Sequence, residues 1–149
     1  VPKETIKLSG QLAIVLKDKD GKVKDTRNVK NLVVNTGIAY IVSRMTGTTK
    51  AVMSHMGVGS GTTVAGASQT DLVTLVGSRE ALDSSTISNT NVVYECQFEA
   101  GDGTGALTEA GIFNAATSGD MLCRTVFATV NKAASDTMVI TWTVTLSAV

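Results

Sequence analysis

Proline occurs once in the 149 residues, histidine once and cysteine twice, and aromatic side chains make up only 4% of the chain. A single proline excludes a polyproline linker or tail. Charged residues are sparse too, at 17% against a usual ~25%. With 43% apolar residues the chain is not a disordered one. No apolar run approaches the ~20 residues that span a bilayer, and the start VPKETIKLSG lacks the basic head and apolar run of a signal peptide. The expectation is a soluble protein with no membrane partner.

The abundant residues are threonine, 21, and valine, 19. Their β-branched side chains fit a pleated, half-buried surface. Alternation is cleanest in two stretches. Val92, Tyr94, Cys96 and Phe98 point inward, with Glu95, Gln97 and Glu99 outward. Near the end Met138, Ile140, Trp142, Val144 and Leu146 point inward, while Thr137, Val139, Thr141, Thr143 and Thr145 point outward. Further strands are expected at 6–16, over about 22–34 and 52–58, at 81–88, near Glu109–Asn114 and at 121–130. Between them, Asn35-Thr36-Gly37 changes the period to 3.6 and predicts one helix over 37–46, capped by Asn or Thr. Its Ile38, Ile41, Val42 and Met45 face should lie on the sheet. Thr70-Asp71 could cap one further turn through Leu75. About eight strands at ~10-residue spacing predict a mainly β fold, an antiparallel, jelly-roll-like β-sandwich. It forms a single domain over 1–149, with 1–30 as a basic strand and hairpin region.

The net charge of zero hides an asymmetry. Residues 1–50 carry ten Lys/Arg and four Asp/Glu, and residues 51–149 three and nine. Lys17, Lys19, Lys22, Lys24, Arg27 and Lys30 could steer an acidic partner, although Asp18, Asp20 and Asp25 interleave with them as on any solvated hairpin. No aromatic residue precedes Tyr40 to stack on bases, so nucleic acid is a poor partner.

No motif points to catalysis or to a cofactor. His55 has no visible triad or metal partners, and Cys96 and Cys123 lack zinc-ligand spacing and read as small buried hydrophobes. Gly57-Val58-Gly59-Ser60-Gly61-Thr62-Thr63 lacks the Gly-Lys-Ser/Thr ending of a phosphate loop and reads as a flexible surface loop. Asp18-Lys19-Asp20-Gly21 opens like a calcium loop but has Val29 where the bidentate Glu belongs, and so reads as a turn. Glu95 and Glu99 share a strand face, on the solvent side.

Three stretches carry a likeness to a known class. They are Asn31-Leu32-Val33-Val34-Asn35-Thr36-Gly37, then His55 to Thr63 followed by Gln69-Thr70-Asp71-Leu72 and Arg79, and finally Gly103 to Asn114 continuing into Leu122 to Phe127, Asn131-Lys132 and the Thr-Trp-Thr-Val-Thr strand. Their order and wording resemble a small structural protein of tailed bacteriophages, over nearly all the chain from about residue 29. The resemblance implies a virion protein assembled in the host cytoplasm. The expected role is a capsid cement or decoration protein that binds the major capsid protein, as a homotrimer. The alternative is a tail-fibre or baseplate module. On that reading Pro2, Lys3, Thr5, Lys7, Lys17, Lys19, Lys22 and Lys24 are candidate capsid contacts, and Thr141, Thr143 and Thr145 candidate self-association residues.

Overall fold

Alternating apolar residues govern the architecture. In the computed structural model, which describes residues 3–47 and 50–149, the described elements run in the order β1 (Ile6–Lys17), β2 (Val23–Lys30), β3 (Leu32–Val33), α1 (Asn35–Arg44), β4 (His55–Gly59), β5 (Glu80–Ala81), β6 (Ser84–Ser88), β7 (Asn91–Phe98), β8 (Gly105–Phe113), β9 (Met121–Lys132) and β10 (Thr137–Ala148). They form two five-stranded antiparallel sheets, a first of order β2-β1-β10-β7-β6 and a second of order β3-β9-β8-β4-β5. The expected β-sandwich with one short helix is what the chain adopts.

Leu12, Ile14 and Leu16 of β1, Tyr94, Cys96 and Phe98 of β7, and Met138, Ile140, Trp142 and Val144 of β10 meet Met56, Val58, Leu107, Ile112, Cys123 and Val130 of the second sheet in one core. At its edges the chain passes from sheet to sheet. The strand expected over 22–34 is two strands, β2 and β3, broken at Asn31. There Asn31 N donates to the Gly10 carbonyl at 3.1 Å, and Thr125 Oγ1 donates to the Lys30 carbonyl at 2.8 Å. On the other side, between β5 and β6, Leu82 N donates to Ser54 O at 2.9 Å and Asp83 N to Glu95 O at 2.8 Å, one bond into each sheet.

The expected helix forms, two residues earlier than 37–46 with Asn35 and Thr36 inside its first turn, and it turns differently. Gly37 and Tyr40 are its buried residues, Ile41 is half-buried, and Ile38, Val42 and Met45 are exposed. Two contacts impose this rotation. Gly37 rests against the Leu122 backbone, where any Cβ would collide with the carbonyl. Tyr40 is the large side chain that reaches the core shared with Tyr94 and Cys123. No side chain caps the helix start, and Thr36 Oγ1 instead donates to the Met121 carbonyl at 2.7 Å. Residues 70–75 form no helical turn, because Asp71 Oδ1 accepts from Leu72 N at 2.8 Å and the backbone beyond is pulled onto β8. Strand β8 begins at Gly105, earlier than the expected Glu109, and its register against β9 shifts between Leu107 and Glu109. The shift reverses the alternation, leaving Leu107, Ala110 and Ile112 in the core and turning Glu109 to the outer side.

Candidate functional surfaces

Buried polar groups are the first place to look for chemistry. Glu109 and Arg124 are each fully buried, with Glu109 Oε2 2.7 Å from Arg124 Nη2 and 3.0 Å from its Nε. Three backbone amides converge on the same carboxylate: Gly61 N and Thr74 N donate to Oε1 at 2.9 and 2.8 Å, and Val73 N to Oε2 at 3.0 Å. Arg124 Nη1 in turn donates to Thr63 O and Gln69 Oε1, both at 2.9 Å. Both carboxylate oxygens and four of the five guanidinium N–H groups are engaged, so the pair fastens residues 60–79 over the second sheet. The glycine-rich stretch is therefore not a free loop. Its amides do cradle an anion, and the anion is the protein's own Glu109. A Cβ at Gly61 would press on that carboxylate and on Val73. Beside it Arg79 stacks on Phe113, 3.5 Å from the ring centroid, and donates to the carbonyls of Ala115 and Ser118 at 2.9 and 2.7 Å.

Burial alone pushes the Glu109 carboxyl up, but the amides of Thr74, Val73 and Gly61 together with Arg124 outweigh it and hold it below the ordinary value of 4.5. A carboxylate depressed by folding stabilises the fold above its unfolded value, and that contribution disappears as pH falls through the folded one. Thermal stability followed from about pH 6 to about pH 2 should therefore fall below about 4.5, and Glu109→Gln should flatten this acid limb. An acid limb unchanged by the substitution would show that other carboxylates control it.

The thiols offer no reactivity. Cys96 on β7 and Cys123 on β9 are buried and free, in different sheets, and burial pushes both up to about 12. His55 Nδ1 lies 2.8 Å from the Ser54 hydroxyl, and no cluster of metal-ligating side chains occurs among the described residues. Asp18 closes its turn by accepting from Asp20 N and Lys22 N, both at 2.9 Å.

The candidate capsid contacts do not form one patch. Lys17, Lys19, Lys22 and Lys24 crowd the β1–β2 hairpin, whereas Lys7 stands ten residues back along β1, about 33 Å away at strand rise. Lys3 and Thr5 precede it, and Pro2 lies outside the described residues. The hairpin is partly neutralised by the fold. Lys24 Nζ meets Asp136 Oδ2 at 2.7 Å, and Asp136 also accepts from Ala133 N at 2.8 Å. Next to it Lys132 is buried, donating to the Glu99 carbonyl at 2.9 Å. Burial lowers the pKa of Lys132, against the opposing charges of Asp102, Asp136 and Glu99.

Thr141, Thr143 and Thr145 do come together, on the outer face of the first sheet. They floor a hollow of about 680 Å³ with Ser9, Gln11 and Ala13 of β1, Asn28 and Lys30 of β2, and Lys7 at its rim. The second uncovered surface is the stripe of α1 described above. Ile38, Val42 and Met45 are 42%, 56% and 83% exposed, and Val52 nearby in sequence is 61% exposed. Since α1 rests on Leu122 near the start of β9, and the buried Lys132 at its end neighbours the hairpin, the stripe lies at the end of the sandwich remote from the hairpin. That is also the end where β1 begins, with Lys7.

No family model, curated protein or solved structure matches this chain. No helix among the described residues is long and apolar enough to cross a membrane.

Sequence reasoning passed over two features. Glu109 and Arg124 are single charges set inside the apolar runs ALTEAGIF and MLCRTVF, which is a visible signal for a buried pair. The α1 stripe is visible in the sequence as apolar, but the side of the helix that the sheet covers is the one with Gly37 and Tyr40.

Proposed function

We propose that this chain is a structural protein of a tailed-bacteriophage virion, a capsid cement protein that binds the outside of the major capsid shell and associates with copies of itself. The observation that supports a binding role is the pair of uncovered surfaces, the sheet face with its neutral threonine strip and the apolar stripe of α1. A side chain such as Met45, 83% exposed, gains most when another surface covers it. The stripe and Lys7 lie toward one end of the sandwich, which favours that end, over the hairpin, as the shell contact. Burying surface across neighbouring shell subunits would resist internal DNA pressure.

The deciding experiment compares particles with and without the protein. Omission should lower the temperature at which DNA-filled heads rupture, and an unchanged rupture temperature would remove the cement role. Copy number separates head from tail: hundreds per particle fit a shell protein, and a few tens or fewer fit a tail-fibre or baseplate module. The contact itself is tested by Val42→Asp with Met45→Asp. Binding to bare capsids should weaken about tenfold or more while the melting temperature stays unchanged, because both side chains already face water. If the hairpin instead carries the contact, replacing Lys17, Lys19, Lys22 and Lys24 by Ser will weaken low-salt binding more than this pair does.

A further inference from the structure

The outer face of the first sheet has a charge layout that is complementary to itself. Register places Lys30, Asn28 and Thr26 of β2 beside Gln11, Ala13 and Val15 of β1, and these beside Thr143, Thr141 and Val139 of β10. The rows continue into Val93, Glu95 and Gln97 of β7 and Thr86 and Ser84 of β6. Lys7 and Lys30 stand on the β1–β2 half. Glu95 stands on the β7–β6 half. None of the three has an ion-pair partner among the described residues. Between them runs a neutral strip of Thr141, Thr143, Gln11, Ala13, Val139 and Val93.

We propose that two copies pack this face on itself about a two-fold axis parallel to the strands, between β1 and β10. Such an axis exchanges the two halves, so Lys30 of each copy lies over the Glu95 side of the other. An axis across the strands would set Lys30 against Lys30. The strand-parallel choice also keeps the two faces aligned, the usual geometry of stacked sheets at ~10 Å separation. The β-branched side chains can then interdigitate with little loss of rotamer freedom.

Size is sufficient. With the axis between β1 and β10, strands β2, β1, β10 and β7 of the two copies overlap, and four strands at ~4.8 Å spacing with about eight residues of each give a footprint of about 500 Å² per copy, roughly 1,000 Å² in total. That is the threshold of a biological interface, in the class of weak and transient contacts, so the dimer should be reversible. The hollow of about 680 Å³ is lined by β2, β1 and the β10 threonines, so it straddles the axis and lies within the face that the two copies share. The inference rests on the self-associating role proposed above and names its symmetry and contact face, in place of the three-fold arrangement that the resemblance implies.

Sedimentation equilibrium of the purified chain across a hundredfold concentration range is the test. Wild type should pass from monomer to dimer, with weaker association at high salt. Lys30→Glu and Glu95→Lys should each raise the dimer dissociation constant about tenfold, and the double reversal should restore it to within about threefold. Both sites are solvent-facing, so melting temperatures should be unchanged and misfolding is ruled out in the same samples. Thr143→Arg, at the centre of the strip, should abolish the dimer. A trimer, a monomer at every concentration, or a dimer indifferent to these changes would each overturn the proposal. In all three cases detection on purified particles would leave the virion role intact, whereas a dimer absent from particles would remove that role and leave the interface.

Discussion

Arg124→Ala should remove about 3–5 kcal/mol of stability, the usual cost of stranding one member of a buried ion pair. Glu109→Ala should cost at least as much. It leaves the Arg124 guanidinium buried without its counter-charge and also orphans the amides of Gly61, Val73 and Thr74. Urea denaturation gives the loss, and amide hydrogen exchange gives its location. Those three amides should exchange early, while β1 and β10 stay protected until global unfolding. Replacing both partners with leucine should not rescue the protein, although such swaps are often harmless in other buried pairs. Here the carboxylate serves the backbone of residues 60–79 as well as the arginine. If the double leucine variant equals wild type in stability, the fastening role assigned to Glu109 is wrong.

Trp142→Ala should be comparably damaging, at about 3–5 kcal/mol, because the indole is fully buried in the middle of β10 between the two sheets. Trp142→Phe should cost far less than its lost volume suggests, about 1–2 kcal/mol. The indole Nε1–H is buried with no hydrogen-bond partner, so phenylalanine removes an unsatisfied donor along with the volume. Thermal melts of the two variants beside wild type check the ranking. A phenylalanine variant as unstable as the alanine one would mean that the donor is satisfied in solution.

These two results depend on information of different legibility. Trp142 is a core residue by simple alternation, since Met138, Ile140 and Val144 share its parity and threonines fill the opposite one. The same alternation identified the outward threonines that floor the sheet-face hollow. The Glu109–Arg124 site could not be assembled in this way. Its carboxylate faces outward only because the β8 register slips at Thr108, and its three amides come from a segment with no hydrophobic period. Position of the helix was readable from the change of period at Asn35-Thr36-Gly37. Its rotation was not, because an apolar stripe marks a surface that avoids water without stating what covers it. Gly37 and Tyr40, one by absence of a side chain and one by reach, decide the matter.

The pairing of β1 with β10 runs through twelve residue pairs, from Ile6 with Ala148 to Lys17 with Thr137. These two central strands are separated by nearly the whole chain, so the contact that closes the first sheet is among the most non-local the molecule could make. During synthesis β1 must wait, unpaired on that side, until β10 has left the ribosome. The second sheet, whose β8–β9 hairpin is local, can form before that. Folding is then expected to be slow and to finish only when β10 docks, with an exposed β1 edge as the species most open to capture by another chain or a chaperone.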